Sequence, residues 1–328
     1  MKVLVTGASG FLGSHIAEQL SAEGHSVVAL VRKSSKVDFL TALPGLELAT
    51  GAVEDAASVR AAMKGVDAVI HSAGVVKARS EEEFHAINTQ GTQNLLDAAQ
   101  EVAPGLSRFV FVSSLTAVGW SDDGRPVSPD ATPRPVTGYG RSKVAAERAV
   151  RAVKDKLPVV IIRPPMIYGP RDNESFAFFQ SVSFRFLPYL GDGNNTMSVI
   201  YASDAASACI KAMYADVPSG NAYFVDDGEI YVWKDMLADI EKAMGKRALV
   251  RLSIPFSLVS VVAAANEQIS KLSGKAVMLT RDKLKELSAP HWVCDSMDTR
   301  KALGWEPKVK WAEGTKKAAA WYREHGWL

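Results

Sequence analysis

Short apolar runs rich in β-branched residues alternate with helix-like segments through the first half of the chain. The helix-like segments include "LGSHIAEQLSAEG" and "NTQGTQNLLDAAQEV". Near-continuous apolar strands that alternate with helices are typical of a parallel sheet covered on both faces. The sequence therefore predicts an α/β fold with a doubly wound parallel sheet. The predicted strands are "KVLVTG", "SVVALV", "DAVIHSAG", "RFVFVSS" and "PVVIIRP".

The alternation stops after Pro170, where the aromatic-rich stretch "ESFAFFQSVSFRFLPYLGDG" begins. A strand-like "MSVIYAS" and a helix "DAASACIKAMYA" follow, and from Glu229 the pattern is mostly helical. We expect residues 1–170, with about 195–225, to form the sheet domain. Residues 171–194 and 226–328 are expected to form a smaller, mostly helical C-terminal domain.

The composition is ordinary for a soluble globular protein of the cell interior. The 328 residues are 47% hydrophobic and 23% charged, and a net charge of +2 gives no reason to expect nucleic acid. Cys209 and Cys294 lack metal-ligand spacing, so we expect no metal and a reducing cytoplasm. The opening strand leaves no room for a signal peptide, and the apolar run at 254–265 is shorter than the ~20 residues of an integral membrane segment.

A glycine-rich turn, "VTGASGFLG", connects the first predicted strand to the first helix. Glycines at this place allow a tight turn, close approach to a pyrophosphate and tight packing of helix on strand. The first helix then directs its free N–H groups towards the phosphates. The alternative is a strand-to-helix turn without a ligand. The residues predicted to bind the dinucleotide here are Gly7, Ser9, Gly10, Phe11, Leu12 and Gly13.

The end of the second strand predicts which dinucleotide is bound. An acid about 20 residues after the glycines would bind the ribose 2′-hydroxyl of NAD. Val31 stands in that place, followed by Arg32 and Lys33, and an arginine grips a 2′-phosphate with two parallel hydrogen bonds. This pattern favours NADP(H), with NAD possible. A solvated basic loop is the alternative.

The stretch "TGYGRSKVAAE" places Tyr139 four residues before Lys143 at the start of a helix-favouring run. Residues four apart lie on the same helix face. A phenol has a pKa of ~10, which is too high for proton exchange near neutral pH. Lys143, together with the positive nicotinamide ring, would stabilise the phenolate and lower this pKa. An exposed tyrosine near a solvated lysine is the alternative.

Taken together, these motifs resemble the extended short-chain dehydrogenases/reductases over nearly the whole chain. The resemblance rests on the glycine turn, "HSAG", "NTQGT", "VSSLTAVG", the Tyr139–Lys143 pair, "RPPMIYGP" and "LGWEP". It implies a Rossmann-type domain for the dinucleotide and a C-terminal domain for the substrate. The resemblance is closest to the 3β-hydroxysteroid dehydrogenase and dihydroflavonol reductase branch. The stretch "IPFSLVSVVAAANEQISKLSG" is similar to the C-terminal part of that branch. That helix would pack in its domain, rim the pocket or touch a membrane surface.

The resemblance also implies roles for individual residues. Ser114 takes the position of the catalytic hydroxyl beside Tyr139 and Lys143, while Ser113 is expected to cap backbone at the strand end. Lys143 would hold the nicotinamide ribose, and Asn88 would orient a water or a helix bend. A homodimer through the helix of Tyr139 and its neighbour is the family's default. Further cofactor contacts are expected at Val53, Ser72, Ala73, Gly74 and Pro164.

Departures from the family pattern narrow the reaction. Leu115 and Thr116 stand where 4,6-dehydratases carry an Asp-Glu pair, which makes dehydration improbable. Met197 stands where sugar-nucleotide epimerases usually carry an arginine for the diphosphate, although Arg171 or Arg185 could replace it. The sequence therefore predicts an NADP(H)-dependent oxidoreductase acting on a ketone or secondary alcohol of a largely apolar, steroid-, terpenoid-, flavonoid- or acyl-like substrate. A sugar-nucleotide 4-epimerase and a non-catalytic NADP(H) sensor are the alternatives.

An aromatic cluster in the stretch after Pro170 is expected to roof an apolar pocket, although most of its members would equally suit a domain core. The cluster consists of Phe176, Phe178, Phe179, Phe184, Phe186 and Tyr189.

Overall fold

The computed structural model describes residues 1–273, 277 and 280–328, without the side chains of 270–273. Gly274, which ends the apolar stretch beginning at Ile254, lies outside the described residues. The strands are β1 (Lys2–Thr6), β2 (Ser26–Val31), β3 (Leu46–Thr50), β4 (Ala68–His71), β5 (Arg108–Val112), β6 (Val159–Arg163), β7 (Met166–Tyr168), β8 (Phe186–Leu190), β9 (Thr196–Met197), β10 (Val199–Tyr201), β11 (Ala222–Phe224), β12 (Tyr231–Val232), β13 (Val250–Ile254) and β14 (His291–Trp292).

Helices connect these strands and dominate the last hundred residues. A π-helical turn, His85–Gln90, joins the fourth helix to the fifth, and a short 3₁₀ turn, Leu115–Ala117, follows β5. The α-helices are α1 (Phe11–Ala22), α2 (Asp38–Thr41), α3 (Ala56–Met63), α4 (Glu81–Phe84), α5 (Gly91–Val102), α6 (Gly138–Ala152), α7 (Asn173–Ser183), α8 (Ala202–Tyr214), α9 (Trp233–Met244), α10 (Phe256–Ser273), α11 (Arg281–Ser288), α12 (Met297–Leu303) and α13 (Trp311–Glu324).

The main sheet has seven parallel strands in the order β11-β6-β5-β4-β1-β2-β3. Val3 and Val5 of β1 lie in a core with α1 and α8, whereas Leu4 lies in a second core with α3, α5 and α6. Because neighbouring side chains in a strand point to opposite faces, this places a core on each side of the sheet. The predicted Rossmann-type, doubly wound α/β fold is therefore confirmed, and all five predicted strands belong to this sheet.

The chain crosses over between β1 and β4, which are neighbours at the centre of the sheet although helices and two strands separate them in sequence. In such open sheets the ligand binds outside the carboxyl ends of the strands, at this switch point. The segments that follow β1, β4, β5 and β6 therefore meet at one edge of the sheet. That edge carries the predicted site.

A third core, built from later residues, lies outside the main sheet. Phe179 of α7, Met236 of α9, and Trp311 and Tyr322 of α13 are buried together in it. The predicted strand "MSVIYAS" is divided into β9 and β10 at Ser198, whose hydroxyl accepts a hydrogen bond from the backbone of Cys294 at 3.1 Å. The later portion is helical as expected, while the exact domain boundaries stay a prediction.

The "LGWEP" ending attaches the C-terminal portion to α8. Asp204 accepts hydrogen bonds from the backbone N–H groups of Lys308 and Val309, both at 2.8 Å. The indole of Trp305 is buried and donates to the hydroxyl of Ser207 at 2.9 Å. In the described parts of the chain, no helix has both the length and the apolar character needed to cross a bilayer.

Candidate active site

The glycine turn between β1 and α1 is closely packed by backbone. Gly7 has a φ of +75°, and a Cβ there would lie 2.7 Å from the backbone nitrogen of Ala73. A Cβ on Gly13 would lie 2.1 Å from the carbonyl oxygen of Gly7. Gly10 is the exposed N-cap of α1, preceded by the half-buried Ser9 and followed by half-buried Phe11 and buried Leu12. The first turn of α1 therefore offers backbone N–H groups at an open surface.

The end of β2 presents two cations to solvent. Val31 is buried, and Arg32 and Lys33 follow it immediately as exposed residues. Within the described part of the chain, neither of these two side chains has an ion pair or a hydrogen bond. Both side chains are therefore accessible from solvent, and their binding of a ligand phosphate stays a prediction.

The side chain of Val53 is buried in the protein core. Its side chain lies in the second core and packs against Gly91, where a Cβ would be 2.7 Å from Val53 Cγ2. Its carbonyl oxygen accepts a hydrogen bond from Asn94 at 2.9 Å. The adenine contact expected at Val53 stays a prediction.

The segment after β4 approaches the catalytic candidates. The backbone N–H of Ala73 donates to the hydroxyl of Thr6 at 3.2 Å, which fixes the Ser72–Ala73 backbone against β1. A Cβ on Gly74 would lie 3.4 Å from the Nζ of Lys143 and 3.1 Å from Asn88 Oδ1. A side chain at this position would therefore touch Lys143 and crowd Asn88 by a few tenths of an ångström.

Asn88 lies in the π-helical turn and is almost fully buried. Its side chain accepts from the backbone N–H of Val75 at 2.8 Å and donates to the hydroxyl of Ser142 at 2.9 Å. Asn88 thereby ties the segment after β4 to α6. Which of the two roles expected for Asn88 it performs stays a prediction.

Ser114 begins the 3₁₀ turn after β5 and is half-buried. Its hydroxyl accepts a hydrogen bond from the hydroxyl of Thr116 at 2.9 Å and caps the backbone N–H of the same residue at 3.2 Å. The backbone N–H of Leu115 donates to the carbonyl oxygen of Pro164 at 2.9 Å, which places Pro164 beside this turn. Ser114 is thus held at the carboxyl edge of the sheet.

Ser113 does not cap the backbone, so that expectation is wrong. Its hydroxyl donates instead to the Oε1 of Glu147 at 2.6 Å. The two Glu147 oxygens also accept hydrogen bonds from Arg163 Nε and Nη2 at 2.8 and 2.6 Å, and both residues are buried. The side chain of Ser113 therefore points towards the Glu147–Arg163 ion pair, whereas Ser114 faces the site.

Tyr139 and Lys143 share one face of α6, which Thr137 caps by accepting from the N–H of Gly140 at 3.1 Å. Lys143 Nζ lies 5.9 Å from the ring centre of Tyr139 and donates to the carbonyl oxygen of Val112 at 2.8 Å. Only 4% of Lys143 is exposed. Burial lowers the pKa of Lys143 to about 8, against the opposing charge of Glu147. Its ammonium form therefore persists at neutral pH.

The phenol of Tyr139 is held in its protonated form by the protein. Burial raises its pKa well above the ordinary value, and a hydrogen bond with Ser114 opposes that rise. The negative charges of Glu286 and Glu174 raise the pKa further. The protein alone does not produce the lowering expected from Lys143 and the nicotinamide together.

Three acidic residues near the site were missed from the sequence. Glu147 lies four residues after Lys143, so helical spacing alone could have identified it. Glu174 at the start of α7 and Glu286 in α11 reach Tyr139 only through tertiary packing, for which the local sequence gives no signal. Lys77, after β4, pairs with Glu174 at 3.5 Å across the same region.

The six aromatic residues do not form the expected roof. Phe179 is buried in the third core, and Phe176 and Phe178 pack against it beside Tyr322 and Trp233. Tyr189 packs on the same core, while Phe184 and Phe186 are exposed. The aromatic neighbour of Tyr139 is Phe84, with ring centres 6.4 Å apart. Core packing, the alternative given above, thus accounts for four of the six.

Arg171 and Arg185, the candidate replacements for the missing epimerase arginine, are respectively bound to α1 and exposed. Arg171 Nη2 donates to Glu18 at 2.6 Å and contacts the ring of His15 at 2.8 Å, both on α1. Arg185 is exposed at the start of β8. Met197 itself lies in β9, paired with Tyr231 and Trp292.

A family model described as the NAD dependent epimerase/dehydratase family matches residues 3–225. This stretch contains the glycine turn, the ends of β4 and β5, and the Tyr139–Lys143 pair. The chain belongs to the NAD dependent epimerase/dehydratase family. The resemblance to the extended short-chain dehydrogenases/reductases is thereby confirmed.

Members of the family with known names support a dehydrogenase or reductase. Ceramide reductase of Caulobacter vibrioides is 31% identical over 331 residues, which cover 99% of this chain and 96% of that protein. The 2-alkyl-3-oxoalkanoate reductase of Stenotrophomonas maltophilia is 30% identical, with 98% and 99% covered. A structure of dTDP-glucose 4,6-dehydratase from Streptomyces venezuelae with NAD has a TM-score of 0.83 at 24% identity, covering 100% and 99%. The chain is an NAD(P)-dependent dehydrogenase/reductase of the extended short-chain type.

Proposed function

We propose that the protein is an NADP(H)-preferring oxidoreductase that interconverts a ketone and a secondary alcohol on a largely apolar substrate. The observation that carries this proposal is the placement of the buried Lys143, 5.9 Å from the ring centre of Tyr139 on one face of α6 and hydrogen-bonded to Val112 at the end of β5, two residues before Ser114. This arrangement provides a hydroxyl, a proton donor and a fixed cation within one site.

The residues present fit a dinucleotide. Side chains larger than hydrogen are excluded at Gly7 and Gly13, which leaves backbone N–H groups of α1 open to a pyrophosphate. Unpaired Arg32 and Lys33 at the end of β2 suit a 2′-phosphate, which supports NADP(H) over NAD. Gly74 and Lys143 would border the nicotinamide end, since they lie at the switch point beside Tyr139. When bound, the nicotinamide supplies the hydride in reduction and accepts it in oxidation.

The proton is moved by the chain's own residues. The raised pKa keeps the phenol of Tyr139 protonated, so Tyr139 can donate its proton to a carbonyl oxygen as that oxygen gains negative charge. Ser114 would hold the same oxygen by a hydrogen bond and so favour the charged transition state. The ammonium group of Lys143 would stabilise the phenolate left behind. In the oxidation direction these roles reverse.

An apolar ketone is favoured over a sugar nucleotide by the residues and by the relatives. Met197 cannot neutralise a diphosphate, and Arg171 is already bound to Glu18. Two reductases similar to this chain are named for a ceramide and a 2-alkyl-3-oxoalkanoate. These names support an acyl-like substrate for this chain. The six aromatic residues of the stretch after Pro170 give no support to an apolar pocket, because four pack in or on the third core and two are exposed.

The test is turnover with added cofactor. Purified protein should oxidise NADPH when given long-chain 3-oxo compounds, and should reduce NADP when given the corresponding alcohols. The decisive comparison is a mixture of UDP-glucose and UDP-galactose without added cofactor. Interconversion of the two sugars there, with no NADPH consumption by any ketone, would replace the reductase by the 4-epimerase.

A further inference from the structure

Large apolar side chains are exposed most densely between residues 184 and 269. Phe184 is 76% exposed and Val261 is 66% exposed, and this range holds more such residues than the rest of the described chain. Concentrated apolar exposure marks an interaction site more often than scattered single residues do. Nine of these residues lie in or directly beside β8, β13 and α10, which are outside the Rossmann sheet.

The small parallel sheet formed by β8 and β13 has an apolar outer face. Three in-register pairs lie on this face. The opposite face carries Leu187, which is buried towards the third core. A strand with one face on a core normally turns polar side chains to solvent, and this one does not. The pairs are Phe186 with Val250, Pro188 with Leu252, and Leu190 with Ile254.

Helix α10 follows β13 directly and continues the apolar surface. Val259 and Ala263 are buried, so this side of α10 packs on the protein. Four large apolar residues on its other side, separated in turn by three, one and seven positions, are exposed. An 18-residue helix is about 27 Å long. The exposed residues are Leu258, Val261, Val262 and Ile269.

The charges around this surface are positive. Residues 184–190 and 246–269 contain Arg185, Lys246, Arg247 and Arg251 but only one acid, Glu267. Arg251 is paired with Glu241, and Glu267 is 3.7 Å from Arg281. The exposed Arg185 accepts, through its carbonyl oxygen, the N–H groups of Leu249 and Val250. Arg185 directly precedes β8, and Lys246 and Arg247 lie shortly before β13, so basic residues flank the start of both strands of the apolar face.

We infer that the outer face of β8 and β13, with the exposed side of α10, docks on the surface of an anionic lipid bilayer. An apolar helix side would enter the headgroup boundary while Arg185, Lys246 and Arg247 contact lipid phosphates. A second copy of the chain is the less favourable occupant, because it would bring another surface of the same charge. We call this region the apolar docking surface.

The docking surface lies one helix away from the catalytic candidates. The backbone N–H of Arg281 in α11 donates to Glu267 of α10 at 2.8 Å. Asp282 of α11 accepts from Arg141 of α6 at 3.2 Å, and the charge of Glu286 reaches Tyr139. A docked protein would hold this edge of its site close to the bilayer. The inference itself does not depend on the reaction.

Vesicle sedimentation of the full chain tests the inference. The protein should sediment with vesicles of phosphatidylcholine mixed with phosphatidylglycerol, and much less with phosphatidylcholine alone. A variant with Leu258→Ser, Val261→Ser and Val262→Ser should bind at least about tenfold more weakly. A variant with Arg185→Gln and Arg247→Gln should bind roughly 30-fold more weakly at low salt. Far-ultraviolet circular dichroism would verify that each variant is folded.

Exposed apolar residues elsewhere provide the matched control. Ile230→Ser with Met297→Ser, both exposed outside the docking surface, should leave sedimentation unchanged. The inference is overturned if the wild type ignores anionic vesicles or binds neutral vesicles equally well. It is also overturned if the serine triple variant binds as the wild type does. A docking-surface variant that turns a dimer into a monomer in light scattering, with no vesicle binding by the wild type, would assign the surface to a second copy.

Discussion

The strand ends of the Rossmann sheet and the aromatic stretch 171–194 differ in how their side chains reach their places. Parallel strands must end at a common edge, so Gly74, Ser114 and Lys143 meet there although they are far apart in sequence. No such constraint acts on the aromatic stretch. Phe179 enters the third core and Phe184, five residues later, is exposed. The local sequence therefore predicts where a side chain lies only for residues whose place is determined by the topology of the sheet.

The pair Phe179→Ala and Phe184→Ala sharpens this comparison most strongly. Removing the buried ring should destabilise the protein by about 3–5 kcal/mol, because a cavity is left in the third core. Removing the exposed ring should change the free energy of unfolding by less than about 0.5 kcal/mol. Urea unfolding of both variants measures the difference. Equal losses would mean that the two rings share one environment, contrary to the structure.

The sequence predicted the fold because its signals are local and repeated. Five of the seven sheet strands carry apolar, β-branched runs, and the glycine turn marks the first crossover. β3 was missed because, as an edge strand, all five of its residues are exposed or half-buried and Glu47 interrupts its apolar residues. β11 was missed because the strand has only three residues, so its apolar run is too short to recognise.

The candidate site was predicted in part for the same reason. Tyr139 and Lys143 lie four apart on one helix, and Ser114 lies two residues after the end of β5, so spacing identifies them. Glu174 and Glu286 come from α7 and α11, whose positions depend on long-range packing. The destinations of Phe176 and Phe178 likewise depend on Tyr322 and Trp233, which lie more than 50 residues away. No local pattern encodes such contacts.

Glu147→Gln would test whether the buried ion pair supports the strand end that carries Ser114. Burial alone would raise the pKa of Glu147, but the hydrogen bonds and charge of Arg163 hold it below the ordinary value. Leaving Arg163 buried without a counter-charge should cost about 3 kcal/mol in the free energy of unfolding. Glu101→Gln, at an exposed pair with Arg60, is the control and should cost less than about 1 kcal/mol.

The pH dependence of the same variant gives a second readout. A carboxyl whose folded pKa is depressed stabilises the protein above its unfolded value of ~4.3, and this contribution is lost as the pH falls through the folded pKa. The wild type should therefore lose more stability on acidification than Glu147→Gln does. Parallel acid curves for the two proteins would exclude Glu147 as an ionised partner of Arg163.

Arg32→Ala examines a strand end at which the structure shows an exposed cation with no partner among the described residues. NADPH affinity should fall by about 1.5–3 kcal/mol, the range for hydrogen bonds to charged groups, while NADH affinity stays the same. Lys64→Ala removes an exposed cation after α3 and should affect neither cofactor. Calorimetric titration of both cofactors measures this. A wild type that binds NADH as tightly as NADPH would remove the role proposed for Arg32.

The most direct test of the account is the turnover number of Tyr139→Phe with NADPH and any ketone that the wild type reduces. The substitution removes only the phenolic oxygen, so folding and NADPH affinity should be kept while proton donation is lost. General acid catalysis is worth ~10²–10⁴-fold, and kcat should fall by that factor. Tyr214→Phe removes a phenolic oxygen from a half-exposed residue outside the site and should retain full activity. If Tyr139→Phe instead kept more than about a tenth of the wild-type kcat, Tyr139 would not be the proton donor.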